Sequence, residues 1–141
     1  WRFRDHADLM DALLKDWRVT NSRTMLAAIR GPGAPADRIR ALMEVWVDEV
    51  GYDPAYDLAV RAWSTISKKV ARVVRAVDED RIEALHQLFL DAGNSDMEAF
   101  IRARVFYYHQ VGYYAIGVKE RVAKRREYLK LYYKVLTGFE S

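Results

Sequence analysis

The sequence predicts an all-α domain, and three observations carry that reading. Apolar residues recur at three- and four-residue spacing through almost the whole chain, the period of a helix with one buried face. Three of the segments that break this rhythm hold glycine or proline and are followed by Asp or Ser, the side chains that cap helices. Only three prolines and seven glycines occur in 141 residues, too few for many short strands and their turns. Half the residues are hydrophobic (51%) and 30% are charged, a balance that supports a packed core and not a disordered chain.

The elements follow in order. Asp5 opens the first helix, with Asp8 in the first turn, where negative charge suits the helix dipole. Leu9, Leu13, Trp17, Thr24, Met25 and Ile29 keep its rhythm to about Arg30, with a weak patch at Val19-Thr20-Asn21-Ser22. Gly31-Pro32-Gly33-Ala34-Pro35 stops it. A second helix begins at Ala36 or Asp37, carries Ile39, Leu42, Met43, Trp46, Val47 and Val50, and ends at Gly51. Asp53-Pro54 restarts the chain with a cap and a proline at the first helical position. Leu58, Ala59, Ala62, Trp63 and Ile66 follow, with a break near Ser67-Lys68-Lys69. Val70, Val73, Val74, Val77, Ile82, Leu85, Leu88 and Phe89 are rich in β-branched residues but have a helical period, so the fourth element is a helix that Gly93 ends. Ser95-Asp96-Met97-Glu98 has capping-box spacing and starts a fifth helix to about Gly117. A sixth runs from Lys119 or Glu120 to Thr137, with Val122, Leu129, Tyr132, Tyr133 and Leu136 on its drier side, and Gly138 closes it.

Composition excludes several classes. Without cysteine there is no disulfide framework and no thiolate metal site, which fits a cytoplasmic setting. No run of about 18 apolar residues is present, so no spanning helix and no membrane partner are expected. The first residue is Trp1, and the expectation is that the sequence begins inside a longer protein. The net charge of +3 is modest, and its excess is local: Lys119, Arg121, Lys124, Arg125, Arg126, Lys130 and Lys134 against Glu120 and Glu127. Such a run reads first as a solvated helix face and second as a phosphate-binding stripe.

The opening stretch, Trp1-Arg2-Phe3-Arg4-Asp5-His6-Ala7-Asp8-Leu9, resembles the end of the helix-turn-helix of TetR-type transcriptional regulators. Trp1 and Phe3 match the aromatics that finish the recognition helix, Arg4 the basic position, Asp5 the cap and Leu9 the apolar anchor. His6 departs from the usual Lys. Tyr52-Asp53-Pro54-Ala55 with Arg61-Ala62-Trp63, Val77-Asp78-Glu79-Asp80-Arg81-Ile82 leading to Leu88-Phe89, and Met97-Glu98-Ala99 leading into a long helix also resemble that family. The resemblance implies that residues 1–4 are the remnant of a recognition helix. Residues 5–141 would then be an effector-binding and dimerisation body of about six helices, whose last two form a four-helix bundle with their copies in a homodimer. It further implies operator DNA as partner of an N-terminal head, with Trp1, Arg4 and His6 nearest the DNA, and a small apolar or aromatic effector that shifts the first long helix by binding one state better than the other. Repression is the family default.

An effector pocket needs an apolar cavity with a few polar groups. Candidates on the middle helices are Trp46, Tyr56, Trp63, Phe89, Phe100 and Tyr107, with Tyr52, His86, His109 and Gln110 as polar partners. The same aromatics also suit plain core filling. The fifth helix carries large groups on nearly every side and so needs cover on two faces. Together with the sixth it supplies the candidate dimer contacts Arg104, Tyr108, Val111, Tyr114, Ala115, Tyr128, Leu129, Tyr132 and Leu136. No histidine pair has metal-ligand spacing. There is no nucleophile elbow or phosphate loop, and Asp78-Glu79-Asp80 point in different directions on a helix or turn surface. Neither a catalytic residue, a metal nor a cofactor is expected. A helical module that binds a partner helix and has no DNA role is the alternative.

Overall fold

The structure is a computed structural model and describes residues 4–139. It has six α-helices: α1 (His6–Ile29), α2 (Pro35–Asp48), α3 (Pro54–Ser64), α4 (Lys68–Asp91), α5 (Asp96–Ile116) and α6 (Val122–Thr137). Among the described residues there is no strand, and no helix is long and apolar enough to cross a membrane.

Most caps sit where the side chains dictate. The Asp5 carboxylate accepts from the Asp8 amide, Asp53 from Ala55 and Ser95 from Glu98. The capping box at Ser95 is only half closed, because the Glu98 carboxylate turns to Arg102, at 3.2 Å, and not back to Ser95. The break near Ser67 is a full boundary, where the Ser67 hydroxyl accepts from Val70 and starts α4. Two expected boundaries move. The second helix ends at Asp48, with Glu49 left-handed at φ 55°, before Gly51 is reached. The sixth starts at Val122 and not at Lys119, and Val122 is exposed, outside the drier side assigned to it. Gly51 has φ +72°, and a Cβ there would collide with the Thr24 side chain, so the turn before α3 requires glycine for both reasons.

Two apolar cores lie along α1 and α4. The smaller joins Leu14 and Trp17 of α1, Val60 of α3, and Val70, Val74 and Val77 of α4. The larger joins Met25 and Ile29 with Ile39, Leu42, Met43 and Trp46 of α2, Leu85, Leu88 and Phe89 of α4, Phe106 of α5, and Tyr133 and Leu136 of α6. Between them, on both long helices, the buried positions turn polar: Asn21 and Ser22 on α1, Arg81 on α4.

Candidate functional site

That polar layer is built on one ion pair. Asp57, from the buried face of α3, and Arg81, only 1% exposed, meet at 2.9 Å. Trp17 Nε1 donates to Asp57 Oδ1 at 2.7 Å and Asn21 Nδ2 to the same oxygen at 2.8 Å, while the Tyr52 hydroxyl donates to Oδ2 at 3.2 Å. Arg81 in turn donates to the Ser22 hydroxyl, at 3.1 Å, and to the Asn21 carbonyl, at 3.3 Å. Burial alone would push the Asp57 carboxyl up. The Arg81 guanidinium, with donors from Arg81, Asn21 and Trp17, outweighs it and holds the group below the ordinary carboxylate range.

A second pair extends the layer toward solvent. Arg61 and Asp78 are bidentate, and the Tyr107 hydroxyl donates to Asp78 while accepting from Arg61 at 3.1 Å and from Arg81 at 3.2 Å. Burial raises the Tyr107 phenol well above its ordinary value, so it stays a neutral bridge between two ion pairs. Asp78 is therefore a half-buried structural group, contrary to its reading as solvated surface. The layer ties α1, α3, α4 and α5 together.

Two spaces lie along the seam between α2 and α6. An outer cleft of about 380 Å³ is lined by Arg40, Met43, Glu44, Leu129, Lys130 and Tyr133. A smaller cavity of about 40 Å³, the inner chamber, shares Met43 and Leu129 with the cleft and is lined further by Trp46, His109, Gln110, Glu120 and Arg125. Of the buried side-chain polar atoms left without a partner among the described residues, three belong to side chains that line these two spaces: Trp46 Nε1, Gln110 Nε2 and the Tyr133 hydroxyl. Native interiors rarely leave such groups unpaired. His109 is held below its ordinary value by burial and by the Arg125 charge, so it is neutral at pH 7.

No family model, curated protein or solved structure matches the chain. What the site can do rests on its own chemistry.

The structure brings only some of the candidate effector residues together. Trp46 and Gln110 share the inner chamber. Tyr107 belongs to the polar layer, and Phe89 packs edge-on against Phe106, with ring centroids 6.2 Å apart. Tyr56 and Trp63 pack against the smaller core, the former donating to Asp16 at 2.8 Å. His86 sits near the surface between Phe100 and Asp96. Among the described residues no group of three or more acidic or histidine side chains is placed to hold a metal.

The candidate dimer residues also divide. Leu136 is buried, and Val111, Tyr114, Leu129 and Tyr132 pack against the main core. The Tyr114 hydroxyl donates to the Trp46 carbonyl at 2.9 Å. Tyr108, Ala115 and Tyr128 are exposed, and Arg104 is half-exposed, donating to the Tyr108 hydroxyl at 2.9 Å. Beside them run apolar side chains not singled out from the sequence: Ile101 (49% exposed) and Val105 (50%) on α5, Leu131 (65%) and Val135 (69%) on α6. Val135 lines shallow surface pockets with residues of both helices, so the two rows form one face.

Most of the basic run, Lys119, Arg121, Lys124, Lys130 and Lys134, is exposed, and two of its members are tied to α2. Arg125 donates to the Trp46 carbonyl at 3.2 Å, and Arg126 pairs with Glu44 at 2.9 Å and with Asp48, fastening α6 to α2. At the other end Arg4 pairs with Asp8 at 2.8 Å and His6 is exposed. Trp1 lies outside the described residues.

Proposed function

We propose that this chain is the effector-responsive, dimerising body of a TetR-type transcriptional regulator, acting as a repressor through a helix-turn-helix head joined at the N-terminal end of α1. The observation that carries the reading is the apolar face of α5 and α6. Ile101, Val105 and Tyr108 follow one another at helical spacing, as do Tyr128, Leu131 and Val135, and they stand 49–69% exposed apart from Tyr128 at 40%. A contiguous apolar face of this kind marks an interaction surface.

A second copy is the occupant that fits. Two adjacent helices with parallel apolar rows complement their own image about a two-fold axis, giving a four-helix arrangement in which every row is covered. The opening motif around Arg4, Asp5 and Leu9 supports the DNA-reading role, because it resembles the end of a recognition helix followed by the cap of the next helix. The function is then two-state: an effector in the body tilts α1 and resets the spacing of the two heads.

Light scattering on a sizing column tests the reading. A dimer at micromolar concentration is expected. A monomer overturns it and favours a helical module whose α5–α6 face binds a foreign helix.

A further inference from the structure

The three unpartnered donors along the α2–α6 seam call for an acceptor that the protein does not supply. We propose that this seam is a binding site for a small organic acid. Its carboxylate enters the inner chamber against Trp46 Nε1 and Gln110 Nε2, and its apolar body lies in the outer cleft between Met43, Leu129 and Tyr133. The site stands on its own geometry, and only its use as the effector site rests on the regulator reading.

Size, polarity and charge each point the same way. The inner chamber, about 40 Å³, exceeds the roughly 10–15 Å³ that one water needs, and suits a head group of a few atoms. The outer cleft, about 380 Å³, is within the range of small-molecule sites, about 300–1,000 Å³. Both side chains at the inner end are nine-tenths or more buried, Trp46 and Gln110 each being 4% exposed, and both carry N–H groups without an acceptor.

Cations outnumber carboxylates along the seam by three to two: Arg40, Arg125 and Lys130 against Glu44 and Glu120. Arg125 lines the inner chamber, where its guanidinium also bonds the Trp46 carbonyl and the Tyr114 hydroxyl. Arg40 stacks 4.7 Å over the Tyr133 ring at the outer end, and Lys130 stands beside it. Carboxylates sit among them: Glu44 pairs with Arg126 at 2.9 Å, Glu120 accepts from the Tyr113 hydroxyl at 2.9 Å and keeps its charge, and Arg40 and Arg125 also reach Asp37 at 3.4 Å and Glu49 at 3.5 Å. Met43 and Leu129, the wall shared by both spaces, are unbranched at Cβ, and Met in particular re-packs readily around a guest.

The site also touches the polar layer. The Gln110 amide lies beside the Tyr52 hydroxyl, whose proton is donated to Asp57. A head group that engages Gln110 therefore lies next to the Tyr52 hydroxyl, which bonds the carboxylate that holds Trp17 and Asn21 of α1.

Octanoate and benzoate are the probes, with octylamine as a control that keeps the chain and removes the acceptor. Calorimetric titration of the intact chain is followed by indole N–H resonances in nitrogen-15 spectra, Trp46→Phe assigning the one of interest. The expected result is one octanoate or benzoate per chain, a moved Trp46 indole resonance, and octylamine at least about tenfold weaker. Trp46→Phe and Gln110→Leu, each removing one orphaned donor, should weaken the acid about tenfold while keeping the helical content. The proposal is overturned if neither acid binds at about 10 mM, if the Trp46 resonance stays still at saturation, or if both variants bind as the parent does. Light scattering on the same samples keeps this outcome separate from the dimer: a dimer that ignores both acids loses the site and not the regulator reading.

Discussion

Replacing Asp57 by Ala should cost far more than an ordinary ion pair, because it strands Arg81. That guanidinium is 1% exposed and meets the carboxylate at 2.9 Å. Trp17 Nε1 and Asn21 Nδ2 lose an acceptor in the same step. Breaking a buried pair from one side costs about 3–5 kcal/mol, since the surviving charge stays desolvated. With an unfolding entropy of about 2.1 cal/mol/K per residue, the 141 residues give roughly 0.3 kcal/mol/K, so the expected fall in Tm is about 10–17 °C. Thermal unfolding followed by circular dichroism reads this directly, and urea titration checks it. A fall of less than about 3 °C, under roughly 1 kcal/mol, would refute the reasoning, because it would put the pair in the range of exposed ones. Removing both charges together, as Asp57→Leu with Arg81→Met, should recover most of the loss. The double-variant cycle isolates the coupling.

The depressed Asp57 acidity has a definite sign. Its contribution is complete above the unfolded carboxylate value, about 3.9, and disappears as pH falls through the lower folded value. Tm against pH should therefore steepen below about pH 4, and Asp57→Asn should flatten that limb. His109, also depressed, adds stability that is complete above about pH 6.5 and lost as pH falls toward its folded value. Substituting His109→Gln should remove that slope from a Tm series between neutral pH and about pH 5. Gly51→Ala should cost clearly more than Gly93→Ala by urea titration: both positions have positive φ, a cost of about 1–2 kcal/mol, but only at Gly51 does the new Cβ meet the Thr24 side chain. Leu131→Glu, which places a charge on the exposed α6 row, should turn a light-scattering dimer into a monomer without lowering helical content. A dimer that survives it would move the interface off that face.

All six helices were legible in the sequence, because periodicity and capping agree: Asp5, Asp53 and Ser95 cap where spacing says they should. The boundaries that moved depended on a non-glycine in the left-handed region, Glu49, and on an uncapped start at Arg121, neither of which leaves a residue-type signal. The polar layer did leave one. Asn21 falls in phase with Trp17 and Met25, and Arg81 in phase with Val77 and Leu85, so each interrupts a buried stripe with a polar side chain. Weak helix propensity at Asn21 and Ser22 masked that meaning. The α2–α6 seam was less legible, since Trp46 and Gln110 are both ordinary on a buried face. Only their missing partners set them apart, and partners are a property of three-dimensional packing. On α5 and α6, aromatic residues drew attention from Ile101, Val105, Leu131 and Val135, the smaller side chains that stand most exposed beside them.

The clasp on Trp17, Asn21 and Ser22 makes a fulcrum of the middle of α1. At about 1.5 Å per residue, the arm from Asn21 to His6 is roughly 22 Å and that from Asn21 to Ile29 roughly 12 Å. A nudge where Ile29 meets α2 is thus geared up nearly twofold and reversed in direction at His6. Screw motion of α1 along its axis is blocked, because it would pull Trp17 and Asn21 off Asp57 together.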